Sequence, residues 1–222
     1  MNLLELRTRC LDKLDENSTG LRWTTDDLNG YLNLAYQTMC VKTGTLVKTS
    51  PIIAVANQFA YDIPTDCVTP LRLYRDNPLE KVWPTASRRL DEEQRNWRSQ
   101  TGTRWEWYFV FGLDKLMIGP TFTTGGEAYT LTYNADPGLD YLVYNNDEPD
   151  MPRRYHASLV DYAVARALLP DADEGRLMYI GQSIQDFESA VVRLRKESQK
   201  TSGRQHTMRA EDPDGRDWGV FT

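Results

Sequence analysis

The stretch that decides the fold covers residues 149–200 and reads PDMPRRYHASLVDYAVARALLPDADEGRLMYIGQSIQDFESAVVRLRKESQK. Its first part predicts a helix over residues 152–169, because a proline suits the first turn and apolar residues follow at three- and four-residue steps. One apolar line contains Tyr155, Leu159 and Tyr162, and a second apolar line covers another flank. A helix that is apolar on two flanks requires neighbours on both sides.

A second, longer helix is predicted over residues 174–199, after a break at Pro170. It carries an apolar seam, with polar residues on its other faces; the seam contains Leu177, Ile180, Ile184 and Phe187. At 1.5 Å per residue this helix would be about 39 Å long, which is more than a small bundle covers completely. The helix has two interpretations: it is a core helix with one solvated face, or part of its surface faces another subunit.

The start of the chain predicts another pair of helices, separated by a polar break. Thr24 and Asp27 have the spacing of a capping box at the start of the second of these helices, and Gly44 suits its C-terminal end. Neither helix pair covers its apolar flanks alone. Residues 1–48 and 149–200 are therefore predicted to pack together as one bundle.

Residues 50–145 change to a hydrophobic period of two, which predicts an inserted β-rich domain of antiparallel strands. Turn sequences separate the strands, and one short polar segment is predicted to be helical. The densest aromatic run, residues 105–111, alternates so that one face carries Trp105, Trp107, Phe109 and Phe111. Such a face is typical of a sheet core, and a subunit interface is the main alternative.

The predicted fold class is therefore α+β: a helical bundle from the N- and C-terminal helix pairs, an inserted antiparallel β domain and an extended C-terminal tail. The tail, residues 201–222, is polar and aperiodic, and ends in Trp218, Val220 and Phe221. A polar tether with a short aromatic and apolar end is a common arrangement for docking onto a partner. The alternative is a frayed terminus with incidental apolar residues.

Composition limits the class of protein. The 222-residue chain has a net charge of −6, so it lacks the basic footprint of a nucleic-acid reader, although DNA can pass a neutral or acidic surface without being gripped. Cys10, Cys40 and Cys67 are far apart and odd in number, and the first two lie on apolar helical stripes, which predicts core thiols in a reducing compartment. Neither a signal peptide nor an apolar run of ~20 residues is visible, so we expect synthesis in the cytosol and no membrane span.

The sequence offers little for catalysis. His156 and His206 are its two histidines, and no Cys/His cluster has the spacing of a metal site. Glycine-rich cofactor motifs are absent from the sequence, so we expect no metal and no cofactor. Glu92 and Glu93 are the nearest approach to a carboxylate pair, but neighbours on a helix point about 100° apart. We therefore predict a protein that is not an enzyme.

Several phrases carry a family resemblance: FAYDIPTD at residues 59–66, LRLY at 71–74, LMIGP at 116–120, and MPRRYHASLVDYAVARALL at 151–169. The last phrase contains a Pro-x-x-Tyr-His-x-x-Leu helix start. With the N-terminal helix pair, these phrases make the chain resemble the head-to-tail adaptor proteins of tailed phages, the connectors of head completion. The resemblance spans roughly residues 1–200.

The resemblance implies a structural virion protein at the head–tail junction. It implies a ring, usually a dodecamer, that docks below the portal protein, extends the channel for passing double-stranded DNA without reading its sequence, and offers a docking site to tail or nozzle proteins. By position it assigns Trp218, Val220 and Phe221 to portal docking. The candidates for the interface between ring subunits are Tyr155, Leu159, Tyr162, Ile180, Ile184, Phe187, Trp105 and Trp107.

Two other classes of function stay open. The first is a phage cell-wall hydrolase that uses a carboxylate pair in the insertion, formed by Glu92 and Glu93. The second is a binding module whose aromatic strand grips a host glycan or a tail fibre.

Overall fold

The computed structural model of the chain describes residues 1–15, 22–94 and 96–206. Within these residues the α-helices are α1 (Leu3–Lys13), α2 (Thr25–Thr43), α3 (Ser87–Glu93), α4 (His156–Leu168) and α5 (Glu174–His206). The strands are β1 (Val47–Ile53), β2 (Ala60–Asp62), β3 (Cys67–Arg75), β4 (Glu80–Pro84), β5 (Thr101–Gly102), β6 (Trp107–Phe111), β7 (Lys115–Gly119), β8 (Thr121–Phe122) and β9 (Ala128–Ala135). The predicted α+β class is confirmed.

Local signals determine both ends of α2, as the sequence predicts. The backbone N–H of Asp27 donates to Thr24 Oγ1 at 3.2 Å, and the Asp27 carboxylate accepts the Thr24 N–H at 2.9 Å. Gly44 ends the helix in the left-handed conformation, with φ of 64°. A Cβ at this position would also lie 2.7 Å from Nδ2 of Asn134 on β9, so a larger residue would have to displace that side chain.

The helix α4 is the centre of the helical layer, because it packs against α1, α2 and α5. The first predicted apolar line is buried, with Leu159 fully inaccessible. The second is buried at its centre, where Val160 is 1% exposed, but its first residue, Ala157, is exposed. Complete burial of a side chain such as Leu159 contributes about 1.5–3 kcal/mol. The indole of Trp23, just before α2, donates to the carbonyl of Ala167 at 3.3 Å and fixes the end of α4 against α2.

The main sheet has seven strands in the order β1-β9-β3-β4-β6-β7-β2. The first and last long strands of the insertion, β1 and β9, are paired along seven residues, which closes the base of this region. The prediction of a purely antiparallel meander is wrong, because β4 and β6 are parallel. The chain between them contains α3, and such a connection returns the chain to the same end of the sheet, as parallel pairing requires.

The predicted aromatic core is confirmed at three of the four alternating positions of the run at 105–111. Trp105 packs against Tyr129 in the main core, with tilted rings whose centroids are 3.9 Å apart, while Trp107 and Phe109 join a second cluster with Trp97. The fourth position, Phe111, is 62% exposed, because the strand ends there in a hairpin turn.

The last helix extends beyond its predicted end. α5 continues to His206 instead of ending at Gln199, so the first residues assigned to the extended tail are helical. The rest of the predicted tail, residues 207–222, and the predicted break after α1 lie outside the described residues. Cys10 and Cys40 are buried thiols, as predicted.

Candidate docking surfaces

Most side chains proposed for a ring interface lie in the interior of the single chain. Ile184 is half-buried, and the other seven candidates are at most 7% exposed. The buried candidates are Tyr155, Leu159, Tyr162, Ile180, Phe187, Trp105 and Trp107. Periodicity located apolar stripes correctly, but these stripes face the bundle and the sheet core. The interface between ring subunits stays a prediction, and exposed residues must be considered for it.

The portal-docking candidates Trp218, Val220 and Phe221 lie outside the described residues. The last described element, α5, extends to His206, so twelve positions separate its end from Trp218. Portal docking through the tail therefore stays a prediction.

The α5 helix carries exposed apolar side chains, here together called the α5 face: Leu177, Met178 and Tyr179 near its start and Val192 further along. Met178 is 80% exposed and Val192 is 50% exposed. These two residues are fourteen positions apart, close to four helical turns, so they lie on one side of the helix about 21 Å apart. Leu177, which was predicted to belong to the seam, is 52% exposed. In the sequence, the exposed residues of this surface are apolar side chains on an otherwise polar part of the helix, and this was the signal that could have identified them.

A second exposed apolar surface, here called the loop patch, lies between β9 and α4 and consists of Leu139, Val143 and Tyr144. Their side chains are 55%, 55% and 74% exposed. They flank Leu142, which is buried in the main core. The loop therefore inserts one side chain into the bundle and presents its neighbours to solvent.

A buried asparagine fixes this loop. Asn33, on α2 and only 4% exposed, donates through Nδ2 to the carbonyl of Leu142 at 3.0 Å and accepts the Leu142 N–H at 2.8 Å through Oδ1. The amide thus pairs with both backbone groups of Leu142, in the way a neighbouring strand would. The carboxylate of Asp147 accepts the backbone N–H groups of Val143 and Tyr144 at 2.8 and 2.7 Å. These bonds make the loop patch a pre-organised surface.

The FAYDIPTD phrase has a structural role at the base of the insertion. Its last residue, Asp66, accepts hydrogen bonds from Lys48 Nζ on β1 at 2.7 Å and from the Tyr133 hydroxyl on β9 at 3.0 Å. The bond from Lys48 holds the pKa of the Asp66 carboxyl below its ordinary value. The phrase therefore ties the start of β3 to the paired strands β1 and β9.

The residues considered for chemistry each take part in a structural contact. Glu92 and Glu93 form separate ion pairs with Arg88 and Arg89 one helical turn earlier on α3. His156 is 1% exposed, and burial lowers its pKa below the ordinary value. Within residues 1–15, 22–94 and 96–206, no cluster of His, Cys, Asp and Glu side chains has the arrangement of a metal site.

None of the helices in the described part of the chain is both long and apolar enough to cross a membrane.

Comparison with known families gives one result that covers almost the whole chain. A family model described as SU10 adaptor protein matches residues 1–210. This range includes every described helix and strand, and it ends before Trp218. A comparison with curated proteins found no match.

Proposed function

We propose that this chain, which belongs to the SU10 adaptor protein family, forms a ring below the portal of a tailed phage and connects the head to the tail. The family is of the phage head-to-tail adaptor type, and its members are structural rather than enzymatic components of the virion. The ring, the portal contact and the DNA channel are our proposal.

The observation that supports a ring best is the pair of unlike apolar surfaces on one chain. The loop patch lies between β9 and α4, and the α5 face lies on the helix that follows α4, so the two surfaces belong to different elements of the chain. Contact between two different surfaces of identical subunits is head-to-tail, and it produces a ring when the rotation closes. We propose that the α5 face of one subunit packs on the loop patch of the next.

The remaining contacts follow from position and charge. Trp218, Val220 and Phe221 dock on the portal, where many copies of the tail act together. The tips of the sheet offer apolar side chains to tail or nozzle proteins, with Leu79 79% and Leu113 98% exposed. A net charge of −6 lets double-stranded DNA pass without strong attraction to its phosphates.

Charge placed on the α5 face is expected to prevent ring closure. Met178→Asp combined with Val192→Asp puts two carboxylates into the proposed contact, while the folded subunit changes little, because both side chains are exposed. We expect an unchanged melting temperature and at least a tenfold loss of subunits bound per portal ring. Native mass spectrometry of portal mixtures measures the copy number.

The matched control makes the same kind of change at the sheet tips, with Leu79→Asp and Leu113→Asp. These substitutions are expected to leave the number of bound copies unchanged. A full complement of copies with the α5 variant, or an equal loss with the control, would contradict the proposed subunit contact.

A further inference from the structure

An open groove, here called the junction groove, lies where the helical layer meets the sheet. Its volume is about 940 Å³, and its walls come from the end of α2, from β1, β3 and β9, from the loop at residues 149–152 and from residues 194–199 of α5. This volume is at the upper end of the range for small-molecule sites, so the groove accommodates several residues of an extended peptide.

The groove exposes apolar side chains that the core does not use. Val41, Val47, Val68 and Leu71 all line it and are 40–50% exposed. Each stands on a helix or strand, so the apolar lining is held in place. A grouped set of exposed apolar residues on rigid elements is the usual property of a binding surface.

The groove also has a positive balance of charge. Four basic side chains and two acidic ones line it, namely Lys42, Arg72, Arg154, Arg195, Asp150 and Glu197. Lys42 and Arg154 form ion pairs with Glu188 and Glu197. Arg72 and Arg195 form no ion pair with another residue of the described chain. They are therefore the cations best placed to meet an incoming acidic group.

We propose that the junction groove binds the C-terminal segment of the same chain, residues 211–221. This segment contains four acidic side chains and one arginine, and it ends in Trp218, Val220 and Phe221. The segment complements the groove in charge and in apolar surface. Its acidic side chains can pair with Arg72 and Arg195, and its apolar end can pack on the exposed valines and Leu71.

Chain length permits the segment to return to its own groove. α5 extends about 10 Å past the groove wall, from Gln199 to His206. The twelve residues from there to Trp218 span up to about 40 Å when extended, so the tail is long enough to reverse and reach the groove. A short tether gives an effective concentration on the order of millimolar, so even weak contacts keep the groove occupied.

Trp218 and Phe221 are also proposed above to dock on the portal. The competition that results is the one part of this inference that rests on the proposed function. The portal must then compete with the junction groove for Trp218 and Phe221. Occupation of the groove would keep the apolar end of a free subunit covered until a portal is present.

A binding experiment without the portal tests the groove directly. The receptor is the full chain with Trp218→Ser and Phe221→Ser, and the probe is a fluorescein-labelled peptide of residues 207–222. We expect this receptor to bind the peptide, and Arg72→Glu with Arg195→Glu to weaken binding at least tenfold. The matched control, Arg88→Glu with Arg193→Glu, makes the same charge change away from the groove lining and is expected to have little effect. The unmodified full chain should bind the peptide at least tenfold more weakly, because its own tail competes.

Several outcomes would overturn the proposal. One is that the receptor does not bind the peptide at concentrations up to ~1 mM, which is the order of the effective concentration of the tethered tail. Another is that the control substitutions weaken peptide binding as much as Arg72→Glu with Arg195→Glu. Equal binding by the unmodified chain would show that its own tail does not occupy the groove. Concentration-dependent oligomers of the unmodified chain that the receptor does not form would assign the groove to the tail of a second copy. Each of these failures leaves the proposed portal function untouched, since no portal is present.

Discussion

Removal of residues 207–222 is expected to abolish stable binding of the chain to a portal ring, while the truncated chain still folds. Every described helix and strand ends at or before His206, so the truncated chain keeps its described core. The removed segment carries the aromatic and apolar end proposed for portal docking. Many tethered contacts acting together strengthen binding by about 10²–10⁴-fold, and we expect a loss of this size. Binding to immobilised portal, measured by interferometry, gives the affinity.

The control for this experiment is a full-length chain in which residues 207–222 are scrambled, which preserves composition and net charge. The scrambled chain is expected to bind as poorly as the truncated one, because the order of the apolar residues is lost. Undiminished portal affinity of the truncated chain would remove the tail from the docking account.

Asn33→Ala is expected to lower the free energy of unfolding by about 2–4 kcal/mol, because it leaves both backbone groups of buried Leu142 without partners. The substitution also releases the loop patch from α2, so ring assembly on the portal should weaken beyond the loss of stability. Denaturant unfolding measures the first effect, and the copy number bound to portal measures the second.

Asn29→Ala is the matched control, because Asn29 lies one turn earlier on α2 and its one side-chain bond within the described residues is a long 3.5 Å bond accepted from Arg7. Its cost should stay within about 0.5 kcal/mol. A cost for Asn33→Ala as small as that of the control would show that the loop patch is held by other contacts. Normal assembly with a destabilised loop would remove this surface from the ring interface.

The parts of the fold that follow from neighbouring residues were predictable. The capping box of Thr24 and Asp27 and the left-handed Gly44 are each determined within a few residues, and the structure has both. The two apolar flanks of α4 also predicted its central place, because both flanks need cover. The parallel pairing of β4 with β6 was not predictable in this way, because it depends on where a connection of more than twenty residues returns the chain.

The candidate surfaces were harder to predict than the core. An apolar stripe such as that of Ile180 and Phe187 has the same period whether it packs inside the chain or against a neighbour, and the structure places it inside. The loop patch gave no periodic signal, since it is not part of a helix or strand. It is held by a single polar side chain, Asn33, which reaches across from another element. In the sequence this asparagine is one more polar residue on a helix.

The central claim is that the chain assembles as a ring on a portal, and native mass spectrometry of the purified chain with and without portal tests it most directly. The account predicts monomers in the absence of portal, and with portal a complex that carries one fixed number of copies matched to the symmetry of the portal ring. Monomers that never appear in a complex with the portal, or a variable number of bound copies, would contradict it.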